Sequence, residues 1–250
     1  MNSLRVKDAY KHHPNRHLPS LSGLSGNFTE GCVSAIVGPN GAGKTTLLSA
    51  VSGLQTLDHG SICYGNEKAG WRKLTRADVT FFMDGHAGYY PKFTVLQNFL
   101  YFASMGNPDL RFKTKEEAEL WLDRVGILSA RNSPSQTLSK GMLQRLNIAI
   151  ALSCNSKILL LDEPTLGLDI VGSAELCALI KKLTVEHSLI TIFTSHEPDA
   201  IISISDEISV ICKGEVRRRF DSAETSKLSG VGLVEAYLRL VGGGSNDERH

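Results

Sequence analysis

Residues Gly38-Pro39-Asn40-Gly41-Ala42-Gly43-Lys44-Thr45-Thr46 follow directly on the apolar run Cys32-Val33-Ser34-Ala35-Ile36-Val37. Glycine, four residues, glycine, lysine, threonine is the spacing of a phosphate-binding loop. The run before it predicts a strand, and residues 47–51 after it predict a helix, which is the context such a loop requires. The glycines let the backbone wrap closely round a phosphate chain. The loop amides and the helix N-terminus then point at the anion. Lys44 supplies a mobile charge for the β- and γ-phosphates, and the Thr45 hydroxyl is a ligand for Mg²⁺. An ordinary glycine-rich turn is the plain alternative, and pattern and context together favour a nucleotide.

A second set of residues belongs to the same kind of site. Lys157-Ile158-Leu159-Leu160-Leu161 is a continuous apolar strand ending in Asp162-Glu163-Pro164. Open α/β sheets bind ligands at the C-terminal ends of their strands. Asp162 there suits Mg²⁺, through water. Glu163, one residue on, is placed to take a proton from an attacking water. A further strand over residues 191–194 ends at Ser195-His196, which brings His196 toward the γ-phosphate side. Ser139 is a good N-cap for a helix over residues 139–152, with Thr137 the alternative.

Along the chain, residues 4–9, 24–28, 61–64 and 79–83 read as strands. Residues 44–53, 95–105, 115–125 and 231–240 read as helices. After residue 155, strands at 157–161, 189–194 and 207–212 alternate with helices at 173–187 and 198–205. Short apolar strands between helices argue for a buried parallel sheet. The expected organisation is one domain over residues 1–240. A strand–helix core (1–90 and 156–225) is split by a helical block at about 91–155, and a flexible tail spans 241–250.

The 250 residues are 42% hydrophobic and carry a formal net charge of +1. That balance gives no field for nucleic acid or an anionic membrane, so no nucleic-acid partner is expected. No apolar run approaches the ~20 residues of a spanning helix and no N-terminal signal pattern is seen. The expectation is a cytoplasmic protein that reaches a membrane only through a partner. The five cysteines are odd in number, far apart and mostly in apolar segments, which predicts buried, reduced thiols. His12, His13 and His17 read as a solvated loop.

Together these residues resemble the ATP-binding cassette (ABC) family, specifically the nucleotide-binding subunit of a transporter. GPNGAGKTT is similar to its Walker A loop, and ILLLDEP (158–164) to Walker B with a catalytic glutamate at Glu163. LSKGM (138–142) with Gln144-Arg145-Leu146 resembles the signature motif, LGLD (166–169) the D-loop, and TSH (194–196) the switch histidine. Tyr10 stands where the family's base-stacking aromatic stands.

The resemblance covers residues 4–220. It implies an α/β fold: a P-loop NTPase (RecA-like) core with an antiparallel β subdomain and an inserted helical subdomain. It also implies ATP and Mg²⁺ as cofactors, and a head-to-tail pair of cassettes, here a homodimer or a pair with a related cassette. In that pair Ser139 and Gly141 contact the partner's γ-phosphate, and Asp169 sits at the interface. A transmembrane permease subunit docks near residues 89–99, at the cytoplasmic face of the membrane.

Three departures stand out. Lys140 replaces a glycine and Met142 a glutamine of the usual LSGGQ signature. His86 falls where a Q-loop glutamine is expected, with Asp84 as the alternative Mg²⁺ ligand. The implied function is a transport ATPase of the exporter type, similar to cassettes that pair with small membrane subunits, including the cytochrome c maturation type. The alternatives are a non-transport ABC ATPase and a nucleotide-gated regulatory module with negligible hydrolysis.

Overall fold

The computed structural model describes residues 1–14, 16–83, 89–106 and 114–242. The strands are β1 (Ser3–Lys11), β2 (Leu21–Thr29), β3 (Val33–Val37), β4 (His59–Asn66), β5 (Gly70–Lys73), β6 (Val79–Phe82), β7 (Ile158–Asp162), β8 (Ile190–Thr194), β9 (Glu207–Cys212) and β10 (Glu215–Phe220). The helices are α1 (Lys44–Val51), α2 (Val95–Gly106), α3 (Lys115–Arg124), α4 (Lys140–Ser153), α5 (Ile170–Glu186), α6 (Pro198–Ile204), α7 (Ser222–Thr225) and α8 (Gly230–Gly242).

The strands form two sheets. One is antiparallel, in the order β2-β1-β4-β5; the other has six strands in the order β10-β9-β3-β8-β7-β6. Its five strands from β9 to β6 pair in parallel, as expected of buried apolar strands, and β10 pairs antiparallel to β9. The sequence reading missed β10 and β5. The β9–β10 turn places Lys213 at φ 52° and Gly214 at φ 79°, the left-handed pair of a tight hairpin. β10 is an edge strand whose Arg217, Arg218 and Arg219 are exposed, so it carries no apolar run to betray it.

Side-chain alternation divides the interior in two. Along β7, Leu159 and Leu161 face one core while Ile158 and Leu160 face the other. Each strand residue points opposite to the next, so a strand buried on both faces is apolar throughout. The first core joins the large sheet to Phe99 of α2, Leu122 of α3, Leu146 of α4, and to α5, α6 and α8. The second joins its other face to Leu47, Leu48 and Val51 of α1 and to Leu4, Leu24 and Phe28 of the antiparallel sheet.

The expected helical block is α2, α3 and α4, which pack on one another. Thr114 caps α3 reciprocally with Glu117, fixing where the helix begins. The cysteine reading needs one correction. None forms a disulfide, but only Cys177 is buried, while Cys32, Cys63, Cys154 and Cys212 are half-buried. Cys32 and Cys212 sit beside or at the ends of sheet strands, where the interior meets solvent. The tail from residue 243, and His86 and Asp84, lie outside the described residues.

Candidate active site

Three parallel strands deliver their C-terminal ends to one edge of the large sheet. β3 runs into the glycine loop, β7 ends at Asp162, and β8 ends at Thr194, which stands opposite Asp162 in the register. Two of the loop glycines are dictated by space. A Cβ on Gly38 would lie 2.2 Å from Ile211 O, and one on Gly43 would lie 2.2 Å from Ser20 O. Gly43 also sits at φ 108°, where it caps α1.

Lys44 opens α1 and is buried. Its Nζ donates to Gly38 O at 2.7 Å and to Pro39 O at 3.3 Å. Burial lowers its pKa, against the opposing pull of Glu163 and Asp162. Thr45 Oγ1 donates to Asp162 Oδ2 at 2.9 Å, and Thr194 Oγ1 donates to Asp162 Oδ1 at 2.5 Å.

Glu163 has a left-handed backbone, φ 52°, and its N–H donates to Thr194 Oγ1 at 3.0 Å. Its Oε1 lies 3.2 Å from His196 Nε2, and its Oε2 accepts from His196 N at 3.3 Å. Burial raises the Glu163 pKa; His196 and Lys44 pull the other way. A cavity of about 260 Å³ is lined by Asn40, Gly41, Ala42, Gly43, Lys44, Thr45 and Thr46 together with Asp162, Glu163 and His196. Loop, both acids and the histidine therefore share one space.

Ser139 and Gly141 do not. They line a second cavity, with Gly167, Leu168 and Asp169, that has no lining residue in common with the first. Ser139 caps α4, its Oγ accepting from Met142 N at 3.3 Å. Asp169 caps α5, its Oδ1 accepting from Gly172 N at 2.7 Å.

A family model described as ABC transporter matches residues 21–166. The chain belongs to the ABC transporter family. It is an ATP-binding subunit of that family and an ATPase. It is 34% identical over 199 residues to the thiamine import ATP-binding protein ThiQ of Ruegeria sp. TM1040, covering 77% of this chain and 84% of ThiQ. It is 30% identical over 246 residues to the cobalt import ATP-binding protein CbiO of Salmonella typhimurium, covering 94% and 88%. Its fold matches a nucleotide-free cassette from an ABC transporter with a TM-score of 0.80 at 19% identity, over 96% of this chain and 98% of that one.

Within this ABC subunit, the two signature departures have defined surroundings. The Lys140 side chain lies over Gly167, its Nζ 3.2 Å from where a Cβ of that glycine would stand. The Met142 side chain packs against the larger core. Tyr10 is not among the residues lining the loop cavity. It sits within the antiparallel sheet, its ring centroid 6.0 Å from that of His59.

Two lining residues went unread in the sequence, Arg16 and Met83. Neither belongs to a motif, and only the folding of the β1–β2 loop and the end of β6 onto the glycine loop brings them there. Thr194 was read only as part of TSH. Its hold on Asp162 follows from the β7–β8 register, which the sequence does not print.

Proposed function

We propose that two copies of this chain close head to tail around ATP, and that closure and reopening drive a separate membrane subunit. The observation that carries this reading is the split between the two cavities. Ser139 and Gly141 offer a helix N-terminus, a natural anion site, that lies outside the cavity of the same chain's glycine loop. A second copy supplies what one copy keeps apart. Around that second cavity Leu166, Ile170 and Val171 are exposed, Ile170 at 90%. Such apolar exposure beside a polar cleft fits a face that becomes covered.

Within the loop cavity, Lys44 and the loop amides hold the phosphates. Thr45 and Asp162 offer an all-oxygen donor set, which fits Mg²⁺. When bound, Mg²⁺ neutralises charge on the β- and γ-phosphates. Asp84 or His86 remains the proposed further ligand. Glu163, its pKa raised by burial, takes the proton of the attacking water, and His196 orients it. Tyr10 is proposed to reach the base from near the end of β1.

Exposed aromatics support docking of the membrane subunit. Tyr90, Phe93 and Tyr101 form a cluster with ring centroids 5.0–6.3 Å apart, continued by Phe102. Among the described residues no helix is long and apolar enough to cross a membrane. On this reading the chain works at the cytoplasmic face, held there by the membrane subunit. The export direction rests on the GPNGAGKTTLL loop and the segment at residues 89–94, whereas ThiQ and CbiO are import proteins by name. Vesicle transport with the membrane subunit present separates the two.

The test of the central reading is Glu163→Gln. We expect turnover to fall by at least ~100-fold and a stable ATP-bound dimer to accumulate on size exclusion. Undiminished hydrolysis, or hydrolysis without dimerisation at any ATP concentration, would overturn it.

A further inference from the structure

One wall of the loop cavity comes from outside every motif. Arg16, in the loop that joins β1 to β2, lines the cavity with Asn40, Gly41, Lys44 and Thr45. That connection is tied at both ends. At its start Lys11 Nζ pairs with Asp58 Oδ1 at 2.7 Å, and His12 N donates to Asp58 Oδ2 at 2.8 Å. At its end Ser20 N donates to Lys11 O at 2.8 Å, and Ser20 O lies against Gly43 closely enough to exclude a Cβ there. The segment is clamped to the phosphate loop itself.

Between the clamps, Arg16 N donates to His13 O at 3.0 Å, closing a turn. Arg16 Nη1 is 3.4 Å from Ser20 Oγ and 4.0 Å from the position a Gly41 Cβ would take. The guanidinium therefore overhangs the phosphate loop.

Besides Lys44, Arg16 is the only lysine or arginine among the described residues lining this cavity. Lys44 is buried and faces Asp162 and Glu163, so its charge is already partly answered. A nucleotide phosphate chain brings several negative charges. A guanidinium is always charged and its planar fork grips two phosphate oxygens at once.

We infer that Arg16 is a nucleotide-binding residue, its guanidinium contacting the phosphate chain held by the glycine loop of the same chain. This rests on the reading of that cavity as the ATP site. The contact is made equally to ADP and ATP, so it governs affinity and KM more than kcat.

The experiment is calorimetric titration of the full chain with ADP, inorganic pyrophosphate and adenosine. Arg16→Ala should weaken ADP and pyrophosphate about tenfold and leave adenosine unchanged. Arg16→Lys, which keeps the charge but loses the fork, should give a smaller loss. Both variants should melt at the wild-type temperature, because the side chain is exposed.

Wild-type affinity for ADP in Arg16→Ala overturns the inference while leaving the nucleotide site intact. A loss for ADP and adenosine but not pyrophosphate assigns Arg16 to the base or ribose and overturns the phosphate contact. Failure of the wild-type chain to bind ADP would remove the site reading and this inference together.

Discussion

At Glu163 a left-handed backbone, a mostly buried carboxyl and a histidine contact coincide. The side chain is 16% exposed, and burial raises its pKa above the ordinary carboxylate value. A raised pKa means that folding favours the protonated form. The contribution to stability is then fully present below the unfolded-state pKa and lost as pH rises through the folded value. A neutral glutamine avoids that loss. Glu163→Gln should therefore melt higher than wild type at about pH 8, with the difference shrinking to nothing as pH falls below the ordinary carboxylate pKa. A pH-independent difference in melting temperature would show that burial of the charge is not the cause. Residue chemistry was the most legible scale here. Lys44, Thr45, Asp162, Glu163 and His196 could be named because each stands at a fixed offset from a strand end. Thr194 escaped, because its role depends on which strand lies beside β7.

Two glycines, one at the start of α1 and one in the first turn of α4, separate what the fold needs from what the reaction needs. Gly43 is fixed by its own chain, through φ 108° and the approach of Ser20 O. Gly141 is not. Its nearest neighbour would be Leu168 Cδ2 at 3.7 Å, an ordinary contact, and it sits where alanine favours the helix. Gly43→Ala should lower stability by more than ~2 kcal/mol, measured by denaturant unfolding, since the loop must open to admit a methyl group. Gly141→Ala should leave stability unchanged or raise it by up to ~1 kcal/mol. It should nevertheless impair the ATP-bound dimer, because the missing Cβ makes room for something outside the chain. Normal dimerisation and turnover in Gly141→Ala would remove that helix start from the proposed interface. Helix α1 was legible from the glycine that stops it and α4 from the serine that caps it. β5 and β10 were not, because each is a short edge strand with polar faces, held by a hairpin partner rather than by its own apolar pattern.

For the whole molecule, the proposed dimer face carries the exposed apolar residues Leu166, Ile170 and Val171. Ile170→Lys should leave the melting temperature of the isolated chain within about 1 °C, because a 90% exposed side chain contributes little to its own fold. It should also abolish the ATP-dependent dimer on light scattering. A dimer that persists would place the interface elsewhere.

The sequence by itself determined the family, the parallel strand–helix core and the chemistry of the glycine loop. Those depend on local spacing, and a phosphate-binding loop has to be built from consecutive residues. Tertiary structure alone decided which strand ends meet at the cavity, that Arg16 overhangs the loop while Tyr10 lies against His59, and that the Ser139 helix start faces a different cleft. Those are consequences of strand order and loop closure. They join residues far apart along the chain, where no spacing rule reaches.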